Sequence, residues 1–288
     1  VSWGESTFIQ NGINVINPID VSKLRVAGAE LKEAFLPVDM IQGSFAVNEN
    51  LSFEALYLLE FEQTEPDPAG TYFSTNDFAT LGADFVMLGF GRANEPSNFA
   101  NCGNVIAYST NALERASCIQ AIPRLADDYA SDDGQYGLAV RYFSPTLNDT
   151  EFGFFFMNYH SRLPLLSGYA VTNTSPNSGR VIVEYPEDIR MYGMSFNTTL
   201  GDTGIALQGE LSYRDNMPLQ FDDVELLFSA LSPLNPFIPA PGNRFISQLG
   251  EYGPGEYVRG WERHEVSQLQ FTLTKAFGPG NWLGAQQI

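Results

Sequence analysis

Read by hydrophobic and polar positions, the chain alternates with a period of two over several stretches, each joined to the next by a tight turn. From Met40 to Val47, Ile41, Gly43, Phe45 and Val47 fall on one side and Gln42, Ser44 and Ala46 on the other. After the short turn Asn48-Glu49-Asn50, Leu51, Phe53, Ala55, Tyr57, Leu59 and Phe61 share a face, against Ser52, Glu54 and Glu60. Period-two patterning on both sides of an Asn-containing turn predicts a β-hairpin. The unit recurs as Tyr136–Ser144, the turn Thr146-Leu147-Asn148-Asp149-Thr150 and Glu151–Arg162, and again as Ile189–Asn197, the turn Thr199-Leu200-Gly201-Asp202-Thr203 and Gly204–Arg214. The two turns are near copies, T-L-N-D-T and T-L-G-D-T. A fourth unit opens with Glu265–Phe277, the turn Gly278-Pro279-Gly280-Asn281 and Trp282-Leu283.

Between the hairpins lie three long segments, Thr64–Gln135, Leu163–Asp188 and Asp215–His264. Connections of that length are anomalous in a compact soluble domain. Short turns at one end of a sheet and long loops at the other are the habit of outer-membrane barrels. The faces agree: Ile205, Leu207, Leu211 and Tyr213 oppose Gln208, Glu210, Ser212 and Arg214, and Leu269, Phe271 and Leu273 oppose Gln268, Gln270, Thr272 and Thr274. Lipid-facing positions must be apolar, whereas those facing a lumen can be polar. One strand departs from this, with Phe152, Phe154 and Phe156 on one side and Phe155, Met157 and Tyr159 on the other. It is expected either to pack against a loop folded inward or to be the two-sided strand of a soluble sandwich. Within the long segments, Asp222–Leu231 and Thr110–Ile122 read as short helices, and the Pro-rich stretch Pro233–Pro241 as extended chain.

No stretch of the chain approaches the ~20 consecutive apolar residues of a membrane helix. With 34 acidic against 15 basic residues the formal net charge is −19, which repels phosphate backbones and disfavours nucleic-acid binding. Acidity by itself is equally compatible with a soluble secreted protein. The two cysteines, Cys102 and Cys118, lie close together in a polar stretch and suit either a local disulfide in an oxidising compartment or two buried thiols. The start Val1-Ser2-Trp3-Gly4-Glu5 has no signal-peptide features. Seven strands with pieces at each end predict a single β-barrel domain over residues 1–288, incomplete at both termini, since closed barrels of this type usually have an even strand number.

Four runs resemble a known family. They are V-S-W-G-E-S-T-F-I-Q-N-G-I-N-V-I-N-P-I-D-V-S-K-L-R at the start, A-E-L-K-E-A-F-L-P-V (Ala29–Val38), T-E-P-D-P-A-G-T-Y-F-S-T-N-D-F (Thr64–Phe78) and G-W-E-R-H-E-V-S-Q-L-Q-F-T-L-T-K (Gly260–Lys275). They are similar to a proteobacterial family of uncharacterised, porin-like outer-membrane proteins, known mainly as a domain of unknown function. The resemblance spans essentially the whole chain. It implies an outer-membrane location, a central part of a longer barrel, and a gene neighbourhood with large exporters of hydrophobic molecules. It supplies no catalytic residues.

Several constellations are candidates for chemistry. Glu54, Glu60, Arg141, Gln208, Glu210, Arg214, Gln268 and Gln270 fall on the polar faces and are candidate pore-lining residues, because opposed charges in a lumen set ion preference. The segment Asn17–Ala34, with Lys23, Arg25 and Lys32, is either a constriction folded into the lumen or an ordinary external loop. Asp127, Asp128, Asp132 and Asp133 could offer oxygens to a structural calcium but lack EF-hand spacing, and a solvated acidic loop is the plainer account. His160, Ser161 and Asp188 can be drawn as a hydrolase triad, yet no G-x-S-x-G elbow exists and sequence adjacency is not catalytic geometry, so a packing histidine is preferred. Gly89-Phe90-Gly91-Arg92 lacks the third glycine and the helix of a phosphate loop. Tyr57, Phe61, Tyr142, Phe143, Tyr159, Tyr192, Phe196, Tyr213 and Trp282 would form interfacial girdles in a barrel and core in a sandwich.

The expectation is therefore an all-β, antiparallel transmembrane barrel, monomeric or trimeric, in the outer membrane of a Gram-negative bacterium. It would pass a small or amphiphilic, hydrophobic solute, alone or coupled to a periplasmic or inner-membrane transport partner. A non-transporting scaffold barrel is the alternative, one that a plugged lumen would favour. Neither catalysis nor a cofactor beyond the structural calcium is expected.

Overall fold

A computed structural model describes residues 1–5, 11–89, 91–239 and 244–277. The strands are β1 (Met40–Asn48), β2 (Leu51–Leu58), β3 (Phe85–Met87), β4 (Ala121–Pro123), β5 (Tyr136–Ser144), β6 (Thr150–Tyr159), β7 (Leu165–Tyr169), β8 (Arg180–Glu184), β9 (Ile189–Thr199), β10 (Ile205–Gln220), β11 (Tyr257–Val258) and β12 (Trp261–Lys275). Seven of them form one antiparallel sheet in the order β1-β2-β5-β6-β9-β10-β12. The three expected hairpins β1–β2, β5–β6 and β9–β10 are neighbours in it. Among the described residues the sheet is open, with β1 and β12 at its edges. The turn expected at Gly278–Asn281, together with Phe90 and Trp282, lies outside the described residues.

The turns have local causes. Asn48 Oδ1 accepts the Asn50 amide at 2.8 Å and closes the first hairpin. In the second, Asn148 and Asp149 both take positive φ, a conformation that Asn and Asp tolerate better than most side chains. Two strands outrun the alternation that predicts them. β10 continues past Arg214 to Gln220, and β12 begins at Trp261 instead of Glu265, because a register shift between Arg214 and Met217 absorbs Asp215 and Asn216 before pairing resumes. Pro218 is tolerated there because pairing with β9 ends at Arg214, so its missing N–H faces no neighbour.

Register fixes the two faces. Since Glu210 lies opposite Ser195 and Gln270, Ser195 opposite Gly153, Gly153 opposite Arg141 and Ala139 opposite Glu54, these residues share the inner face. The outer face carries Ile41, Phe45, Phe53, Leu138, Phe154, Met194, Leu211, Leu269 and Leu273, all solvent-exposed, up to 67% for Phe45 and Leu273. Aromatic side chains run across it in two rows. Tyr136, Phe156, Tyr192 and Tyr213 follow one another across four strands at ring separations of 6.1, 5.3 and 6.3 Å, and Phe196 meets Phe271 at 6.1 Å nearer the short turns. Of the expected girdle residues, Phe61, Phe143 and Tyr159 are not on this face. Tyr159 and Phe143 have inner-face parity, and Phe61 lies beyond its strand, against Tyr185 and His160.

The long segments fold together at the end opposite the short turns. They contribute a three-stranded sheet β11-β7-β8, the pair β3-β4, and helices α1 (Cys102–Tyr108), α2 (Ala112–Gln120) and α3 (Asp223–Leu231). Asn111 and Asp222 cap α2 and α3 through their side chains, as expected of acceptors at a helix start. Leu88, Ile122, Val171 and Leu231 form a core under this region. A disulfide joins Cys102 to Cys118 and ties α1 to α2. Contrary to the extended chain expected after Pro233, Ser232–Phe237 is a 3-10 helix. Proline's fixed φ fits such a turn, and the Asn235 side chain holds Phe245 by accepting its amide and donating to its carbonyl.

Candidate functional site

The inner face of the seven-stranded sheet holds the densest set of buried polar groups, and it is covered by the chain's own first residues. Trp3 is 0% exposed and packs on Phe155 with ring centroids 5.7 Å apart. Beneath it lies Gly137, where a Cβ would come within 2.6 Å of the indole. Gly193 does the same for Ile13, whose Cγ1 would be 2.8 Å from any Cβ there. Glycine inside a strand commonly marks the close approach of another segment, and both positions do so here. Phe155, Met157 and Tyr159, the unexpected apolar row of β6, are buried in the same cluster as Trp3, Ile13 and Ile16. The two-sided strand is thus explained by an inward-folded segment.

Polar contacts fix that segment. Glu210 accepts the Glu5 amide at 2.9 Å and the Ile13 amide at 3.2 Å. Ser195 donates to the Glu5 carboxylate at 3.2 Å, and Ser212 donates to the Asn11 carbonyl at 2.6 Å. Arg214, 1% exposed, donates to the Asn11 and Gly12 carbonyls, both at 2.7 Å, and to the Tyr159 hydroxyl at 2.8 Å. Burial pushes the Glu5 carboxyl above its ordinary range, against the opposing effect of the Ser195 hydrogen bond.

Next to this lies a smaller polar group. Arg141 sits 3.9 Å from Glu54 and 3.4 Å from Glu151, its guanidinium 5.5 Å from the Phe155 ring centroid, and Gln42 hydrogen-bonds Glu54. On the other flank Gln268 donates to Gln270 at 3.5 Å, and the Gln270 amide nitrogen is buried with no partner among the described residues. Gln208 shares this face. Of the candidate pore-lining residues, Glu60 alone leaves the inner row: it lies past the end of β2, where it accepts the Asp39 amide at 2.7 Å.

The other sequence candidates fall elsewhere. Lys23 and Arg25 lie on a 3-10 turn (Val21–Arg25) and Lys32 on another (Leu31–Glu33), outside the sheet. Arg25 pairs with Asp67 and lies 4.5 Å from the Phe73 ring centroid, and Lys32 pairs with Glu30. The segment on the inner face is thus an earlier one than expected, within residues 1–16. Asp127 is held by Arg124 at 2.6 Å and Asp132 accepts the Phe61 amide at 3.0 Å. Asp128 pairs through its main chain with Val183 and Tyr185, and Asp133 offers its carbonyl to His160. Among the described residues no three His, Cys, Asp or Glu side chains converge as a metal site would need. Both ring nitrogens of His160 are engaged, Nδ1 by the Asp188 amide at 3.1 Å and Nε2 by the Asp133 carbonyl at 2.8 Å. Ser161 donates to the Leu163 carbonyl at 3.0 Å instead of meeting the imidazole.

Sequence reasoning does not single out Arg162. It follows β6 and is 7% exposed, donating to the Val15 carbonyl at 3.1 Å and the Glu62 carbonyl at 2.7 Å. Among the described residues its second terminal nitrogen has no partner, and burial lowers its pKa to about 10.

With this geometry in hand, likeness to known proteins adds one result. The family described as "Protein of unknown function (DUF1302)" matches residues 1–288. The chain belongs to this family. No curated protein and no solved structure matches it. Membership carries no assigned chemistry, so any function has to come from the two faces of the sheet and what covers them.

Proposed function

We propose that the chain is the central portion of a porin-like antiparallel β-barrel in the outer membrane of a Gram-negative bacterium, and that it passes a small or amphiphilic solute. One observation carries the membrane reading: every strand of the large sheet presents at least one exposed apolar side chain on the outer face. Water would penalise such an apolar face, since soluble monomers rarely expose contiguous apolar patches beyond a few hundred Å². Lipid would not. Strand lengths of 8 to 16 residues suit a tilted crossing, for which ~9–11 residues are enough. The aromatic rows near the two ends of the strands match interfacial girdles.

A second reading keeps the barrel and drops the transport. The seat of Trp3, Glu5 and Ile13 on the inner face favours a closed scaffold barrel in which the segment never leaves. Single-channel conductance of the folded protein in planar bilayers tests the two. Stepwise conductance that an added solute blocks supports passage. Silence from inserted protein, persisting when the segment is loosened, refutes passage and leaves the scaffold. Coupling to a periplasmic or inner-membrane partner belongs to the same proposal and would appear as co-purification after crosslinking in intact cells.

A further inference from the structure

We propose that the cavity between the N-terminal segment and the end of the large sheet is a binding site for an anionic amphiphile, a carboxylate with an apolar tail, seated by Arg162. The cavity measures ≈ 370 Å³, and both Arg162 and Arg214 line it. Neither guanidinium has a carboxylate within 4.0 Å among the described residues, whereas Arg25, Arg124, Arg141 and Arg190 all do. In a chain of net charge −19, two buried arginines with no ion-pair partner among the described residues stand out. A buried charge is strongly disfavoured unless paired. Main-chain carbonyls satisfy part of Arg162, but among the described residues one terminal nitrogen has no acceptor. A bound anion would supply the missing acceptor.

The rest of the wall fixes the other half of the ligand. Val15, Ile19, Phe35, Ile189 and Met217 line the cavity, and Leu24, 52% exposed, lies at its border with solvent. Apolar walls around one charged group are the usual construction of a small-molecule site. By volume it takes roughly a dozen water-sized groups, the size of a medium-chain acid such as decanoate. The identification of this ligand as a transported solute rests on the passage reading above, but the binding itself does not.

The test is equilibrium dialysis of radiolabelled decanoate against the full-length protein held in amphipol, with unlabelled decanoate or decanol as competitor. The expected result is saturable binding to one site per chain, displaced by decanoate and not by decanol. Arg162→Gln should weaken it by at least about tenfold, the scale of a hydrogen bond to a charged group. Because Arg162 also holds Val15, Leu24→Asp provides a variant at an exposed position, expected to weaken decanoate binding several-fold through charge repulsion at the mouth. Absence of saturable binding in the wild type, equal displacement by decanol, or unchanged affinity in both variants overturns the site. Conductance on the same preparation separates the two proposals: a silent protein that binds decanoate supports the site while refuting passage, and a conducting one that binds none overturns the site alone.

Discussion

Replacing Trp3 by Ala should release the N-terminal segment from the inner face and leave the strands in place. A buried Trp removes roughly 150–250 Å² from water, worth about 4–6 kcal/mol at ~25 cal/mol per Å². Against this stands the indole N–H, which is buried with no partner among the described residues and costs about 1–3 kcal/mol. The net anchoring is then about 1–5 kcal/mol, centred near 3, a shift of roughly 5- to 4,000-fold in the docking equilibrium. Trp3→Phe keeps most of the apolar contact with Phe155 and removes the orphan N–H, so its segment should stay docked. Hydrogen exchange at the Glu5 and Ile13 amides reports the effect directly, since both donate to Glu210. Exchange there should accelerate in Trp3→Ala, with strand amides in β5, β6 and β9 unchanged and with conductance appearing or rising. Equal protection of Glu5 and Ile13 in wild type and Trp3→Ala would refute the anchoring argument. So would a loss of protection spread evenly over the strands, because the segment and the sheet would then be one cooperative unit.

Three other outcomes are expected. Leu269→Arg, on the exposed apolar face, should impair membrane assembly at a cost of about 2–4 kcal/mol, whereas Gln268→Arg on the inner face should assemble normally; heat-modifiability on gels measures both, and equal effects would undo the assigned register. Reducing the Cys102–Cys118 disulfide, which spans a sequence separation of 16, should destabilise the α1–α2 region by about 3 kcal/mol while the large sheet keeps its exchange protection. The Glu187 carboxyl lies below its usual range chiefly because the Ser131 amide donates to it, at 2.7 Å. Its contribution is therefore present above the unfolded carboxylate pKa and is lost as pH falls through the lower folded one, so exchange of the Ser131 amide, corrected for intrinsic rate, should speed up on acidification through that window and not in Glu187→Gln.

The hairpins and both faces of the large sheet were legible because alternation with a period of two is a local signal, and a one-residue slip would move every side chain to the wrong face. The extension of β10 was hidden because Asp215 and Asn216 interrupt that alternation at the register shift, making a continuing strand look like a loop. The 3-10 helix at Ser232–Phe237 was hidden because proline fixes φ alone, which extended chain and a 3-10 turn share. Both disulfide cysteines were in view, but only the folded α1–α2 pair decides between a bond and two thiols.

The inner face failed differently. A polar residue on a strand says that the position does not face lipid, and it leaves open whether water or another piece of chain lies opposite. Glu210, Ser212 and Arg214 read as a solvated lumen lining, yet all three are buried and hold main-chain groups of residues 5, 11, 12 and 13. The segment that covers them has no periodicity of its own, so nothing in it announces where it docks. The signal was in the strands: Gly137 and Gly193 stand at inner positions where a side chain would collide with Trp3 and Ile13, and Phe155 and Met157 join Leu56, Leu58, Ile189 and Met191 in an apolar patch beside the polar residues of that face. An inner face facing only water would need neither the glycines nor the apolar row. Taken together, these positions argue that the sheet and the segment are matched surfaces, so in the proposed barrel any opening of a lumen would have to break specific contacts instead of merely displacing a floating loop.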